Sequence, residues 1–134
     1  AGVSQGSITG LNSVMLHMAD YVAYIGSISA GSIRHGFDGK ELKVEPDEGK
    51  IEEIADALKK SQRLAFWYNG CGDNDMMYES HRATYDAMLK ACPEKLQEDV
   101  DGNGNCAFRL QTGGEHRYRY WIHDLYNVLN LFFH

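Results

Sequence analysis

Gly2-Val3-Ser4-Gln5-Gly6 spells G-x-S-x-G, the nucleophile-elbow pattern in which a sharp strand-to-helix turn lifts a serine hydroxyl clear of a sheet. Glycines in such a turn relieve a strained backbone and let the following helix pack closely. The Gln5 amide then faces an oxyanion developing beside the serine. A serine hydroxyl is a weak nucleophile until a base takes its proton. Among the six histidines, His116 directly follows an expected strand, in Thr112-Gly113-Gly114-Glu115-His116. His17, His81 and His123 fall on expected helices, where a solvated or capping role is the simpler reading. His35 belongs to a long loop, and His134 ends the chain. The imidazole needs a carboxylate to fix its tautomer and stabilise its charged form. Gly72-Asp73-Asn74-Asp75 offers two, again just after an expected strand, where catalytic groups gather in open parallel sheets. The order Ser4, Asp75, His116 is that of the α/β-hydrolases, not of the chymotrypsin or subtilisin arrangements.

These residues need a sheet and helices to hold them. Ile8, Leu11, Val14, Met15 and Met18 repeat at helical spacing, predicting a helix from about Gln5 to Ala19. Tyr21 to Ser29 reads as a buried strand. Gly31 to Gly49 has glycines, Pro46, many charges and no period, so it is expected to be a long loop and a candidate lid. Ile51, Ile54, Ala55 and Leu58 mark a second helix. Leu64 to Asn69 is a second strand, closing in a turn at Gly70-Cys71-Gly72. Tyr78 to Ala91 is helical with Tyr85, Met88 and Leu89 inward, and Pro93 stops it. Cys106 to Thr112 is a third strand, and Trp121 to Phe133 a final amphipathic helix. Strict alternation of helix and strand means an α/β fold, a mostly parallel sheet with helices on both faces.

The composition narrows the function classes. Thirteen Lys and Arg against nineteen Asp and Glu give a net charge of −6, which repels a phosphate backbone, so nucleic acid is not an expected partner. No apolar run reaches the roughly 20 residues needed to span a bilayer, so no membrane segment is expected. Three cysteines cannot build a disulfide scaffold or an all-sulfur zinc site. Asp99, Asp101, Asn103 and Gly104 imitate the first half of a calcium loop. Leu110 stands where its bidentate Glu would be and a strand follows, so a plain turn is expected. The reading calls for no metal and no cofactor.

Taken together, the sequence resembles the feruloyl and acetyl-xylan esterases, carbohydrate esterase family 1 among the esterase D-like α/β-hydrolases. The resemblance covers nearly all of the chain. It rests on Ala1 to Ser7 for the elbow, Tyr24 to Ser29 for the next strand and Gly70-Cys71-Gly72-Asp73-Asn74-Asp75 for the acid. Gly113-Gly114-Glu115-His116 carries the base, followed by Trp121 and Leu125-Tyr126-Asn127. It implies Asp75 as the acid, with Asp73 second, and a secreted serine esterase releasing hydroxycinnamic acids from plant cell-wall arabinoxylan. Acetyl-xylan esterase, a thiol-esterase of the S-formylglutathione hydrolase type and a non-catalytic relative are the alternatives. Gln5 stands where Met is common, Ser7 where Gly is common, and Glu115 precedes the base.

Trp67 and Tyr68 read as sheet core, Cys71 as a small packed hydrophobe, and Arg117 and Arg119 as solvated charges. One of Tyr118, Tyr120 and Trp121 is a candidate lining of an aromatic acyl pocket, with Trp121 assigned to substrate binding. Cys92 and Cys106 lie across a short return loop and are a candidate disulfide in a secreted protein. An α/β-hydrolase also needs a strand running into the elbow and a second oxyanion donor from the loop after an earlier strand. Residues 1–134 are therefore expected to be the C-terminal part of a single catalytic domain, completed by an N-terminal half on a separate chain or missing segment.

Overall fold

The computed structural model describes residues 1–31 and 44–133. Four parallel strands lie in sequence order, β1 (Gly2–Val3), β2 (Tyr24–Ile28), β3 (Phe66–Gly72) and β4 (Cys106–Gln111). Between them run α1 (Gln5–Thr9) with a π-helical continuation (Gly10–Met15), α2 (Glu48–Lys60) and α3 (Tyr78–Ala91), and α4 (Tyr118–Phe132) closes the chain. Strands that add in one direction through right-handed crossovers place every crossover helix on the same face. The other face is left to α4.

Strand alternation sorts the side chains accordingly. Ile25, Trp67 and Cys106 lie side by side in register and point into the main core with Leu11, Met15, Ile51, Ile54, Tyr85 and Met88. Gly26, Tyr68 and Ala107 occupy the next register row, under α4. Trp67 is fully buried and Tyr68 nearly so, as their apolar strand implies. Tyr85 and Met88 point inward and Leu89 packs at the edge of the core.

Several expectations are corrected. Among the described residues the sheet has four strands, because Gly2 and Val3 pair with Ser27 and Ile28; two residues are too few to show a pattern. Gly70-Cys71-Gly72 is not a turn but the end of β3, paired with Arg109, Leu110 and Gln111. Its glycines answer to tertiary neighbours: a Cβ on Gly70 would meet the Asp124 carboxylate, and one on Gly72 the Gly114 backbone. β2 begins at Tyr24 and not Tyr21, and α4 begins at Tyr118, a turn before Trp121. The first helix changes from α to π winding at Gly10. α2 starts at Glu48, capped by Asp47, whose side chain accepts the Lys50 N–H at 2.9 Å. Of the expected 31–49 loop, residues 32–43 lie outside the described residues, as do His35 and His134.

No disulfide joins Cys92 to Cys106. Both are free and buried, Cys92 Sγ near the Ala55 carbonyl at 3.7 Å and Cys106 Sγ accepting from the Tyr85 hydroxyl at 3.8 Å. The Asp99 to Gly104 segment is a turn, with Asp101 and Gly102 at positive φ and Asp99 Oδ1 accepting the Gly104 N–H. Among the described residues no group of three or more His, Cys, Asp or Glu could hold a metal ion, and no helix is long and apolar enough to cross a membrane.

Candidate active site

β1 ends at Val3, and Ser4 takes φ 52 and ψ −119, a strained left-handed turn that aims its side chain off the sheet. The Ser4 N–H still continues the ladder, donating to the Ile28 carbonyl at 2.8 Å. Of the two elbow glycines, Gly2 is sterically required, since a Cβ there would strike the Gly6 and Ser7 backbone. Gly6 has open space around it, so helix packing does not demand that glycine. Ser7, the departure from the resembled pattern, has a role. Its hydroxyl faces the carbonyls of Gly2 and Ile28 and accepts the Ile28 N–H at 2.8 Å, fastening the start of α1 to both strands. Gln5 is the exposed first residue of α1.

The structure brings Ser4, His116 and Asp75 together. Asp75 has a fully buried side chain in the turn after β3. Its Oδ1 accepts the Met77 N–H at 2.8 Å, and His116 Nδ1 lies 2.8 Å from Oδ1 and 3.1 Å from Oδ2. A carboxylate can only accept, so the imidazole hydrogen sits on Nδ1. That leaves Nε2 as an acceptor for the Ser4 hydroxyl, 3.1 Å away. Serine, imidazole and carboxylate thus form a directed relay suited to moving a proton off the serine.

Asp73 lies outside this relay. It is exposed, and its Oδ1 accepts the Gly113 N–H at 2.7 Å, tying the acid turn to the loop that carries His116. The Glu115 carboxylate lies 3.0 Å from Arg117 Nε and 3.6 Å from Arg119 Nη2. Its charge is therefore engaged by two cations, which are paired rather than simply solvated. Trp121 packs edge-to-face on the His116 ring, with centroids 4.8 Å apart at 82°. Tyr118 is exposed and Tyr120 half-buried, with its hydroxyl accepting from Arg119.

Two residues escaped the sequence reading. Ser29 stands beside the acid, its hydroxyl donating to Asp75 Oδ2 at 2.7 Å; a serine at a strand end carries no signal of that. His81 is neither solvated nor a cap but fully buried. Its Nδ1 accepts the Ala30 N–H at 3.2 Å, so its own hydrogen is on Nε2, facing Asn69 Oδ1 at 3.1 Å. Burial pushes its pKa down to about 3 against an opposing pull from Asp75, so it stays neutral. His17 and His123 are exposed on their helices, as expected.

No family model matches the chain. It is 29% identical over 136 residues to endo-1,4-beta-xylanase Y of Acetivibrio thermocellus, covering 99% of this chain and 12% of that protein. A mutant of the feruloyl esterase module from Clostridium thermocellum, complexed with sinapinate, superposes with a TM-score of 0.75 at 27% identity, covering 99% of this chain and 44% of that one. A structure described as FAE gives 0.73 at 27% identity with the same coverage. A ferulic acid esterase gives 0.65 at 22% identity over 97% of this chain and 48% of that chain, which speaks to the fold alone. The chain thus spans less than half the length of these solved structures and about an eighth of the xylanase.

Proposed function

We propose that the chain, which is similar over nearly all its length to feruloyl esterase modules, carries the nucleophile, acid and base of a serine carboxylic ester hydrolase acting on hydroxycinnamoyl esters of plant cell-wall arabinoxylan. The observation that carries the reading is the directed hydrogen-bond series from Ser4 through His116 to Asp75 at the C-terminal edge of the sheet. The substrate class rests on the relatives, one of which is bound to sinapinate and another of which is a xylanase.

In this reading His116 Nε2 takes the Ser4 proton as Oγ attacks the ester carbonyl, and the Gln5 amide donates to the resulting oxyanion. His116 passes the proton to the leaving alcohol, freeing it from the acyl-serine. Water, deprotonated by the same imidazole, attacks the acyl-serine, and His116 returns the proton to Ser4 Oγ as the acid departs. Asp75 holds the Nδ1–H tautomer throughout. Because the polymer lies outside the cell, secretion is part of the proposal.

Labelling with a fluorophosphonate probe and assay on methyl ferulate test the reading. Label at Ser4 that disappears in Ser4→Ala and falls sharply in His116→Ala supports it. A protein that hydrolyses an acetylated xylan but not methyl ferulate would be an acetyl-xylan esterase, and one specific for S-formylglutathione a thiol-esterase. Absence of label and turnover would leave a non-catalytic binding relative.

We further propose that the chain works as the C-terminal part of one hydrolase domain whose other half supplies the second oxyanion donor. Supporting this, the chain covers 44% of the length of the feruloyl esterase module on which it superposes. Tyr118, Ile122, Tyr126 and Leu129 make an exposed apolar stripe along α4, continued by Phe133. Cooperative unfolding of the 134-residue chain alone, together with hydrolysis of an activated ester, would overturn this proposal.

A further inference from the structure

We propose that Ser29 and Trp121 are positioning residues that lock acid and base together, through a hydrogen-bond chain from the indole to the Ser29 hydroxyl to Asp75. The proposal rests on the esterase reading of Ser4, His116 and Asp75.

The chain has only one possible direction. An indole N–H donates and cannot accept, and Trp121 Nε1 lies 3.0 Å from Ser29 Oγ. The single Ser29 hydrogen is thereby left for Asp75 Oδ2, 2.7 Å away, which as a carboxylate oxygen can only accept. Ser29 thus holds one carboxylate oxygen while the other takes the Met77 N–H and the shorter of the two approaches from His116. Without that hydroxyl the carboxyl group is free to turn about its Cβ–Cγ bond, and the aim of the imidazole goes with it.

Ser29 is fixed by the fold. It sits just past β2 at φ 49, nearly fully buried. Its N–H donates to the Gly70 carbonyl at 2.9 Å, and the next amide, Ala30, is held by neutral His81, which Asn69 orients from β3. A left-handed serine stapled on both sides is a backbone shaped to present one hydroxyl. Trp121 touches the base directly as well, its ring edge-to-face on the imidazole. One residue on α4 therefore restrains His116 by packing and Asp75 through Ser29. Its N–H is already committed to Ser29, so that donor is not left for a substrate.

The test uses the full natural polypeptide that carries this chain, with Ser29→Ala, Trp121→Phe and the double variant, assayed on methyl ferulate and on p-nitrophenyl acetate. Misorientation of the relay predicts a kcat about 10-fold lower in each single variant on both esters. KM should stay within about twofold, since no substrate contact is removed. The double variant should be no slower than Ser29→Ala, because both act through one chain. The His116 Nδ1 proton, seen far downfield by NMR, should move or broaden in both variants. An unchanged kcat in Ser29→Ala would overturn the proposal. So would a KM rise confined to methyl ferulate in Trp121→Phe with additive effects in the double variant, which would place Trp121 in an acyl pocket. If Ser29→Ala fails to fold, Trp121→Phe, which keeps the ring, decides by kcat and by the same signal. If the wild type hydrolyses no ester, the esterase reading has failed on its own, and an Nδ1 proton signal that is the same in wild type and variants would sink this proposal separately.

Discussion

Gly72 and Gly114 lie backbone against backbone, so a Cβ on Gly72 would land on the Gly114 main chain, and one on Gly114 would come within 2.7 Å of the Gly72 Cα. This contact joins the strand end that leads to Asp75 with the loop that delivers His116. It is flanked by two bonds between the same segments, Asn74 N–H to the Gly114 carbonyl at 2.9 Å and Gly113 N–H to Asp73 at 2.7 Å. Gly72→Ala should therefore cost about 1–3 kcal/mol by overpacking and also push the two loops apart. Urea midpoints will show the stability loss. Residual folded protein should be slower than wild type, because moving a general base by about 1 Å can cost on the order of 10²-fold. Wild-type kcat in a folded Gly72→Ala variant would show that the loops tolerate the displacement.

The two carboxylates of the acid turn have separate duties, and substitution to the amide separates them. Asp75→Asn keeps the shape but can offer an N–H to His116 and favour the wrong tautomer. kcat on methyl ferulate should fall by about 10⁴-fold, the size of the loss for such an exchange in other serine hydrolases. Asp73→Asn retains an oxygen for the Gly113 N–H, and its rate should stay within about threefold of wild type. The reverse ranking would move the acid role to Asp73.

How much of this arrangement the sequence could announce depended on where the determining atoms lie. α3 was readable to its ends, because its period is local and Pro93 stops it. Ser4 was singled out by the G-x-S-x-G pattern alone, and His116 and the pair Asp73 and Asp75 because each follows an expected strand with glycine punctuation; the preference for Asp75 came with the family resemblance. The glycines of β3 misled because their cause is distant: Gly70 makes room for Asp124, 54 positions along the chain (124 − 70), and Gly72 for Gly114. Ser29 and His81 were opaque for a related reason. Nothing beside Ser29 in sequence says that an indole and a carboxylate meet on its hydroxyl. A histidine on an amphipathic helix reads as solvated until Ala30 and Asn69 are placed at its two nitrogens.

Neutral His81 makes stability depend on acid in a defined window. The unfolded chain binds a proton at this ring below about 6.5, whereas the folded protein does so only near pH 3. Between those values the unfolded state holds more protons, so stability falls as pH falls. One such group contributes a loss of about 3 kcal/mol between pH 6.5 and pH 4, at about 1.36 kcal/mol per pH unit. His81→Gln can still accept from Ala30 and donate to Asn69 but does not titrate. Urea midpoints measured from pH 7.5 to 4 should fall less steeply in this variant. Parallel curves would mean that His81 is not the proton acceptor in that range.

The three thiols should be silent in the native state. Desolvation pushes Cys71 up to about 12, aided by the nearby Asp75 charge, and Cys106 up to about 11; it raises Cys92 as well. The thiolate is the reactive form, and burial also denies access to reagent. Alkylation with iodoacetamide at pH 8 in native buffer should leave all three unmodified when their peptides are read by mass spectrometry. After unfolding in guanidinium without reductant all three should be carbamidomethylated, since none is paired. Resistance of Cys92 and Cys106 to that second step, relieved by prior reduction, would reveal a bridge. Forming it would require both residues to leave their places against Ala55 and Tyr85 and would disturb the core beneath Trp67.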